Sequence, residues 1–359
     1  MGDQVRVGVI GTSWWADMLL LPPLQSHQAA QSTAICGRNR TRAEEMASKY
    51  AVQQVFTDYR QMIDQGNLDA VVVAAPDDLH YEMVMYALDA GLHVLCEKPV
   101  ANNAEQALAM YERAEAAGVK HLVMYTWDWL PHHRYLKQLI DEGFIGRPYH
   151  ACFTLQGGNG RSSAYAWRFD GQRANGVFGD QGSHLVRLAR SFMGDIANVS
   201  ANLATHVQHV HDDGQSVKPV NDSALVTVEF ASGAQATLQA SAVAHLGSHI
   251  IEFSVVLYGE GGTLESSFNF AQPDQPIQAL RAGEDQFVDL TIPDAFWKGG
   301  SRGEIGAIFA EQSIGPRLFI DSILDDRPLE PGLYEGYKVQ QVIDAALKSH
   351  ETGQRITIQ

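Results

Sequence analysis

The chain has 359 residues, of which 45% are hydrophobic and 19% charged, and its formal net charge is −16. This length suffices for two domains with a substantial core each, and the composition is that of a globular protein. The negative charge argues against a nucleic-acid partner, because phosphate backbones are bound through an excess of lysine and arginine. No apolar stretch reaches the roughly 18 residues of a membrane span, so we expect no membrane partner.

The first part of the chain alternates short apolar strands with helical patterns. The predicted strands are residues 5–10, 32–36, 69–75, 93–96 and 121–125. The predicted helices between them include residues 41–50, 79–91 and 103–118. Continuous apolar strands separated by helices are typical of a parallel sheet covered on both faces. We therefore predict an α/β fold that begins with a doubly wound, dinucleotide-binding Rossmann domain over residues 1–126.

The pattern changes after a further predicted helix at 130–143. Four later segments alternate apolar and polar residues, which is typical of antiparallel strands with one exposed face: residues 199–208, 223–230, 234–243 and 249–259. We predict an α+β domain over residues 127–359, which binds substrate on a large, mostly antiparallel open sheet. The open face is expected to form a homodimer or homotetramer. An amphipathic helix at 333–349 is expected to pack back on the first domain.

The cysteines and the first residues of the chain indicate the cellular compartment that we expect for the protein. Cys36, Cys96 and Cys152 form no CxxC pair, and their odd number fits no closed disulfide framework. A reducing, cytoplasmic setting is the simplest interpretation. Cys36 and Cys96 each end a predicted strand, so we expect them to be small buried hydrophobic residues. Residues 1–10 lead directly into a strand, so we expect no secretory signal.

The segment GTSWWA at residues 11–16 follows the first strand and opens a helix, which is the context of a phosphate-binding turn. Gly11 would make the tight turn, Ser13 would let the backbone approach a pyrophosphate, and Ala16 suits close helix–sheet packing. N–H groups at the helix start would bind the phosphates. A plain strand-to-helix turn is the alternative. We expect Ser13→Gly to raise the affinity for a cofactor contacted by Gly11, Thr12, Ser13, Trp14 and Trp15.

The end of the second strand indicates which dinucleotide binds. NAD-binding proteins usually carry an acidic residue there for the ribose 2′-hydroxyl, whereas this chain has Gly37 followed by Arg38. A missing carboxylate and an arginine suit the 2′-phosphate of NADP. We expect Arg38 and Asn39 to contact NADP, with NAD as the alternative cofactor. Arg40 or Arg42 could assist, although arginines that open a surface helix are more often solvated.

Two further segments carry a resemblance to a known family. Residues 75–101 and 176–194 resemble signature segments of the Gfo/Idh/MocA family of NAD(P)-dependent sugar and polyol oxidoreductases. The motif WRFD at 167–170 and the late helix at 336–349 fit the same family. Each short motif is weak by itself, but the ordered set of four is specific and extends over essentially the whole chain.

The resemblance implies the active-site residues. Lys98 of the triplet Glu97-Lys98-Pro99 matches the family's active-site lysine, often followed by a cis bond to proline, which would aim the lysine into the cleft. Asp180 and His184 match the two polar residues of a DxGxH segment. The positions that match surroundings of the bound cofactor are Ala75, Pro76, His80, Glu97 and Lys98.

The chemistry of hydride transfer agrees with these roles. His184 would serve as the general base and Lys98 would donate a hydrogen bond to the reacting oxygen. Asp180 stands four residues before His184, so on a helix the two share a face and can bind adjacent hydroxyls. The alternatives are a surface lysine, an Asp180 that caps the following helix, and a structural histidine.

Several residues are candidates for substrate contact. Trp127 and Asp128 stand where many relatives of the family carry an asparagine-arginine pair, and tryptophan faces commonly stack on sugar rings, although both tryptophans of this stretch could belong to the core. The glycine-rich stretch at 156–167 would form a mobile edge of the cleft. Its candidate ligand contacts are Arg161, Tyr165 and Trp167.

The stretch HVQHVHDD at 206–213 is the one place that suggests a metal. His209 and His211 would share a strand face, with Asp212 and Asp213 close by. A catalytic metal site needs three convergent ligands and supporting residues around them. We therefore expect no metal.

The sequence thus predicts an NADP-preferring oxidoreductase that moves a hydride between nicotinamide and a secondary alcohol or ketone. Its substrate would be a sugar, a polyol or a related cyclic compound. One alternative is a nicotinamide-binding sensor, which would have no need of a proton acceptor. The other is a glycosidase that oxidises and re-reduces one sugar carbon without net redox change.

Overall fold

The computed structural model describes residues 4–211, 213–297, 302 and 314–358. By its contacts the chain divides into two compact units. The first comprises Met1–Trp129 and Gly306–Gln340, and the second comprises Leu130–Ile305 and Gln341–Gln359. None of the described helices combines the length and the apolar character needed to cross a bilayer.

The described part of the chain contains fifteen strands and nine helices, apart from short 3₁₀ and π turns. The strands are β1 (Val5–Ile10), β2 (Ala30–Cys36), β3 (Gln54–Phe56), β4 (Ala70–Val73), β5 (His93–Glu97), β6 (His121–Met124), β7 (Pro148–Gly157), β8 (Ile196–Ala204), β9 (Ser223–Phe230), β10 (Gln235–Ser241), β11 (Ile251–Gly259), β12 (Gly262–Asn269), β13 (Ile277–Arg281), β14 (Val288–Leu290) and β15 (Ile356–Thr357). The helices are α1 (Leu21–Gln25), α2 (Arg40–Lys49), α3 (Tyr59–Gln65), α4 (Asp77–Asp89), α5 (Ala104–Ala117), α6 (Pro131–Asp141), α7 (Ser183–Met193), α8 (Ile314–Leu324) and α9 (Leu333–Thr352).

The first unit is built on a six-stranded parallel sheet with the order β3-β2-β1-β4-β5-β6. Side chains such as Val7, Val72 and Leu95 are fully buried, because helices cover both faces of the sheet. The five predicted strands are present, and β3 is an additional edge strand. The predicted doubly wound Rossmann fold is confirmed.

The second unit contains a nine-stranded sheet with the order β14-β13-β12-β11-β7-β10-β9-β8-β15. Every neighbouring pair is antiparallel except β7 and β10. Along β9, Ala224, Val226 and Val228 are buried, whereas Leu225 is 56% exposed. This alternation confirms the predicted mostly antiparallel sheet with one open face.

Cys36 and Cys96 are buried, as the sequence analysis predicts. Both are buried at the carboxyl ends of β2 and β5, while Cys152 is half-buried, and all three are free. Burial, with a smaller contribution from the carboxylate of Asp58, raises the pKa of Cys36 to about 11. A thiol with such a pKa is protonated at neutral pH and therefore a poor nucleophile.

Candidate functional site

The candidate residues of the first unit follow the carboxyl ends of parallel strands. Residues 11–15 follow β1, residues 37–39 follow β2 and residues 75–76 follow β4. Lys98 follows β5, and the 3₁₀ turn Thr126–Trp129 follows β6. Because β1 lies between β2 and β4, the strand order reverses beside the glycine turn. In open α/β sheets, ligands bind at this edge where the order reverses.

Only glycine fits the backbone conformation and the close contacts at position 11. Its φ is 125°, and a Cβ atom built on it would lie 2.3 Å from the carbonyl oxygen of Ala74. Two residues later, the Ser13 hydroxyl accepts a hydrogen bond from the N–H of Ala16 at 3.3 Å. The serine therefore caps the start of the helix that leads through a π turn, Ala16–Leu20, into α1.

Trp15 bonds to the last residue of β5, a contact that the sequence analysis missed. Its indole Nε1–H donates to the Glu97 carboxylate at 2.6 Å, and Glu97 is 6% exposed. Trp14 is 63% exposed, with its ring centroid 5.9 Å from that of Trp15. The Trp15 side chain thus joins the phosphate turn to the residue that precedes Lys98. Direct contact of either tryptophan with the cofactor stays a prediction.

Lys98 is half-buried, and its bond to Pro99 is cis, as the family resemblance implies. Behind it lies His80, 1% exposed, whose Nδ1 is 2.8 Å from the Pro99 carbonyl oxygen and whose Nε2 is 2.8 Å from that of Ala75. Burial lowers the pKa of His80, although both carbonyls oppose this shift. His80 therefore ties the loops after β4 and β5 together, including Pro76 beside Ala75.

The arginines after β2 differ in their partners. Arg40 donates to Glu44 at 2.8 Å, and Arg42 donates to Asp17 at 3.1 Å. Arg38 is exposed and forms no ion pair or hydrogen bond with the described residues. Its guanidinium is thus available to a ligand, whereas those of Arg40 and Arg42, the suggested assistants, are occupied by carboxylates.

Gly37 and Asn39 flank Arg38 and shape the same turn. A Cβ atom on Gly37 would lie 2.5 Å from Cγ2 of Thr12, so a side chain would displace the phosphate turn. The Asn39 carboxamide accepts from the N–H of Arg42 at 3.1 Å and caps α2. The glycine turn, the helix start and Arg38, which has no partner among the described residues, lie at one sheet edge and together suit a dinucleotide.

The side chains after β6 are more buried than the predicted contact with substrate requires. Trp127 is 5% exposed and Asp128 is half-buried in the 3₁₀ turn. Burial of Trp127 favours the alternative that it belongs to the core of the first unit. Its role in substrate binding stays a prediction.

In the second unit, Asp180 lies on a π turn, Phe178–Gly182, and His184 lies 4% exposed in the first turn of α7. Asp180 lies within this π turn, whose N-cap position is Val177, and the N-cap position of α7 is Gly182. The expected shared face assumed α-helical spacing, which the π turn alters. Single π turns recur at functional sites in helices.

Arg168 is an ion-pair partner of the candidate Asp180 that the sequence analysis missed. Its Nε lies 3.6 Å from Oδ2 of Asp180, and its guanidinium carbon lies 4.2 Å from the centroid of the Trp167 ring. Arg168 therefore covers the candidate Trp167 and neutralises Asp180. The only available signal was its place in the motif WRFD, twelve residues before Asp180.

Arg161 and Tyr165 lie on the glycine-rich loop and have defined partners. Arg161 Nη1 is 2.6 Å from Nδ1 of His245, and its Nε donates to the Gly158 carbonyl at 3.1 Å. The Tyr165 hydroxyl accepts from Arg173 at 3.3 Å.

The histidines of the suspected metal stretch make aromatic contacts. His209 stacks on Phe169 and His211 on Tyr165, each with ring centroids 4.6 Å apart. His209 also lies within 2.9 Å of the Ala164 carbonyl oxygen. Asp212 lies outside the described residues. Within the described part of the chain, no three metal-ligating side chains converge.

The parallel sheet and its glycine turn define a protein of the Rossmann class, and the comparisons with known proteins identify its family as one of oxidoreductases. The chain belongs to the Gfo/Idh/MocA oxidoreductase family. The family's profile described as "Oxidoreductase family, NAD-binding Rossmann fold" matches residues 5–125, and the profile of its C-terminal domain matches residues 133–265.

Curated relatives support this membership. The chain is 30% identical to dTDP-3,4-didehydro-2,6-dideoxy-alpha-D-glucose 3-reductase of Actinomadura kijaniata over 303 residues, 82% of this chain and 85% of that protein. It is 27% identical to levoglucosan dehydrogenase of Pseudarthrobacter phenanthrenivorans over 340 residues, 88% of this chain and 86% of that protein. A solved structure of levoglucosan dehydrogenase in complex with NADH and levoglucosan has a TM-score of 0.89 at 24% identity, covering 99% and 100% of the two chains. This last likeness shows the shared fold.

Proposed function

We propose that the protein is an NADP-preferring oxidoreductase that oxidises a secondary alcohol, or reduces a ketone, of a sugar, polyol or related cyclic compound. The observation that carries this proposal is that the glycine turn, Lys98 and Arg38 all follow strands at one edge of a parallel sheet, and that Arg38 has no partner among the described residues. Membership in a family whose relatives include levoglucosan dehydrogenase supports the substrate class.

Residues of the chain itself would accept the proton of the reacting hydroxyl and stabilise the negative charge that develops on its oxygen. When bound, a nicotinamide cofactor accepts the hydride of the carbinol carbon or returns it. We propose that His184 takes the proton of the reacting hydroxyl and that Lys98 donates a hydrogen bond to the oxygen as negative charge develops. Asp180 would orient an adjacent hydroxyl of the substrate. Loss of the His184 imidazole should therefore cost about 10²- to 10⁴-fold in kcat.

The preference for NADP rests on the end of β2. Gly37 offers no carboxylate to a ribose 2′-hydroxyl, and Arg38 has no carboxylate partner among the described residues. An arginine binds a phosphate through paired, charge-assisted hydrogen bonds, which NAD cannot accept at this position. The 2′-phosphate of NADP is thus the ligand that Arg38 suits.

A substrate screen tests the proposed function. Sugars, inositols and anhydrosugars are offered with NADP⁺ and NAD⁺ in parallel, and nicotinamide reduction is followed at 340 nm, with His184→Ala as the inactive control. Turnover that prefers NADP⁺ and vanishes in the variant is the expected result. Tight cofactor binding without turnover of any compound would favour the sensor or the redox-neutral glycosidase instead.

We also propose that the open sheet face forms a homodimer or homotetramer. This face carries Leu225, 56% exposed, and the stacked pair His150 and Tyr258, with ring centroids 4.3 Å apart. Val256 lies beside them, paired with Cys152 of the neighbouring strand. Apolar and aromatic side chains on a flat sheet suit burial against a second copy by two-fold symmetry.

A further inference from the structure

We infer that Asn221 is a positioning residue for the proposed reaction, because it fixes the start of the π turn on which Asp180 lies. The inference rests on the proposed function, in which Asp180 orients a hydroxyl of the substrate. Asn221 stands two residues before β9 and 41 positions after Asp180 in the sequence. The link between the two residues exists only in the folded second unit.

Asn221 is buried against the chain segment that enters the π turn. It is 6% exposed, and its side-chain Oδ1 accepts a hydrogen bond from the N–H of Phe178 at 2.9 Å. Its Nδ2 donates to the carbonyl oxygen of Asn175 at 2.9 Å, and its own carbonyl oxygen accepts from the N–H of Val177 at 2.8 Å. One residue thus makes three hydrogen bonds to the segment at 175–178.

Two of these bonds satisfy donors at the start of the π turn. The first N–H groups of a helical segment have no carbonyl oxygen within the segment to bond to. Val177 is the N-cap position of the π turn and Phe178 is its first residue, and the two residues are 1% and 0% exposed. Since a buried N–H without an acceptor is costly, Asn221 stabilises the start of the turn.

The chain approaches Asn221 so closely that position 176 requires glycine. Gly176 has a φ of 68°, and a Cβ atom built on it would lie 2.3 Å from the carbonyl oxygen of Asn221. The same Cβ atom would lie 2.8 Å from Nδ2 of the asparagine. Because Gly176 packs directly on Asn221, the path of the chain into the π turn depends on this asparagine.

The residues after Asp180 are fixed as well, so Asp180 lies between two anchors. Gln181 is 7% exposed, and its carboxamide, oriented with the nitrogen toward the sheet, donates to the carbonyl oxygens of Leu155 at 3.0 Å and Ser241 at 3.1 Å. The Ser183 hydroxyl donates to the carbonyl oxygen of Asp180 at 2.9 Å. Loss of the anchor at the start of the turn should therefore let Asp180 shift while the rest of the turn stays in place.

Such a shift would act on the carboxylate that the proposed function assigns to the substrate. Misplacement of a positioning group by about 1 Å can cost about 10²-fold in rate. We expect Asn221→Ala to lower kcat/KM for the substrate about 10- to 100-fold. The KM for NADP⁺ should stay unchanged, because the proposed dinucleotide site lies in the first unit.

A double-mutant cycle tests whether Asn221 acts through Asp180. We would measure kcat/KM for the best substrate of the carbohydrate screen in the wild type, Asn221→Ala, Asp180→Ala and the double variant. Asn221→Ala should cost about 10- to 100-fold in the wild type but less than about twofold in the Asp180→Ala background. Equal losses in both backgrounds would overturn the inference, and so would full activity in Asp180→Ala.

The matched control is Asn269→Ala, which removes a buried asparagine of the same unit. Asn269 is 4% exposed, and its carboxamide oxygen accepts from the N–H groups of Ala271 at 3.0 Å and Gln272 at 2.9 Å. It lies on β12, four strands from β9 in the order of the sheet. Urea denaturation should show similar losses of stability in Asn221→Ala and Asn269→Ala, whereas only Asn221→Ala should lose kcat/KM. An equal loss of kcat/KM in both variants, or none in Asn221→Ala, would overturn the inference.

Hydrogen exchange separates failure of the inference from failure of the proposed function. If no compound is turned over, the proposed function fails, and the exchange rates of the backbone amides at 177–182 still decide whether Asn221 fixes the turn. We expect these amides to exchange at least about tenfold faster in Asn221→Ala than in the wild type and in Asn269→Ala. Unchanged exchange in this segment would overturn the inference.

Discussion

Replacing Arg38 by alanine should change the choice of cofactor without harming the fold. Arg38 is exposed and unpaired among the described residues, so its removal breaks no internal contact. Hydrogen bonds to a charged group contribute about 1.5–3 kcal/mol. Losing them at the 2′-phosphate should therefore raise the Kd for NADPH about 10- to 150-fold and leave the Kd for NADH unchanged.

Fluorescence titrations with NADPH and NADH measure this effect directly. The matched control is Arg40→Ala, whose guanidinium is paired with Glu44 on the surface of α2 and should not influence either Kd by more than a small factor. An equal loss of affinity for both dinucleotides in Arg38→Ala would refute the reasoning about the 2′-phosphate. So would an unchanged preference.

Trp15→Phe should lower the free energy of unfolding by about 1.5–3 kcal/mol, measured by urea denaturation, since the buried Glu97 carboxylate loses its indole donor. Unchanged stability would contradict this. Gly11→Ala should abolish dinucleotide binding in a titration with NADPH, because its Cβ would collide with the carbonyl of Ala74. Gly118→Ala, also at positive φ but in open space, should bind normally. Leu225→Asp should halve the mass seen by light scattering; a monomeric wild type would refute the sheet interface.

The strands of the first unit were predictable because burial on both faces requires continuous apolar runs. A strand without such a run is correspondingly hard to predict. β3 (Gln54–Phe56) has only three half-buried residues at a sheet edge, so its pattern is too short to distinguish from a loop. The prediction also omitted β7, although it pairs with β10 and β11 at the centre of the second sheet.

The hydrogen-bond and ion-pair partners of the candidate site residues were harder to predict from the sequence. The phosphate turn follows from glycine at one position in a strand–turn–helix pattern, which is local information. The bond from Trp15 to Glu97 joins residues 82 positions apart, and the pair Arg168–Asp180 joins a loop to a π turn. Such pairings arise from the folded arrangement, and no local periodicity encodes them.

The central claim is that the glycine turn, Arg38, Lys98 and His184 serve one hydride-transfer reaction. The most direct measurement is the rate of NADP⁺ reduction by the best substrate of the carbohydrate screen, in the wild type and in His184→Ala, with NADPH binding measured on both proteins. The account predicts turnover in the wild type, a loss of about 10²- to 10⁴-fold in kcat in the variant, and equal NADPH affinity. Full activity in His184→Ala, or no turnover by a wild type that binds NADPH tightly, would contradict it.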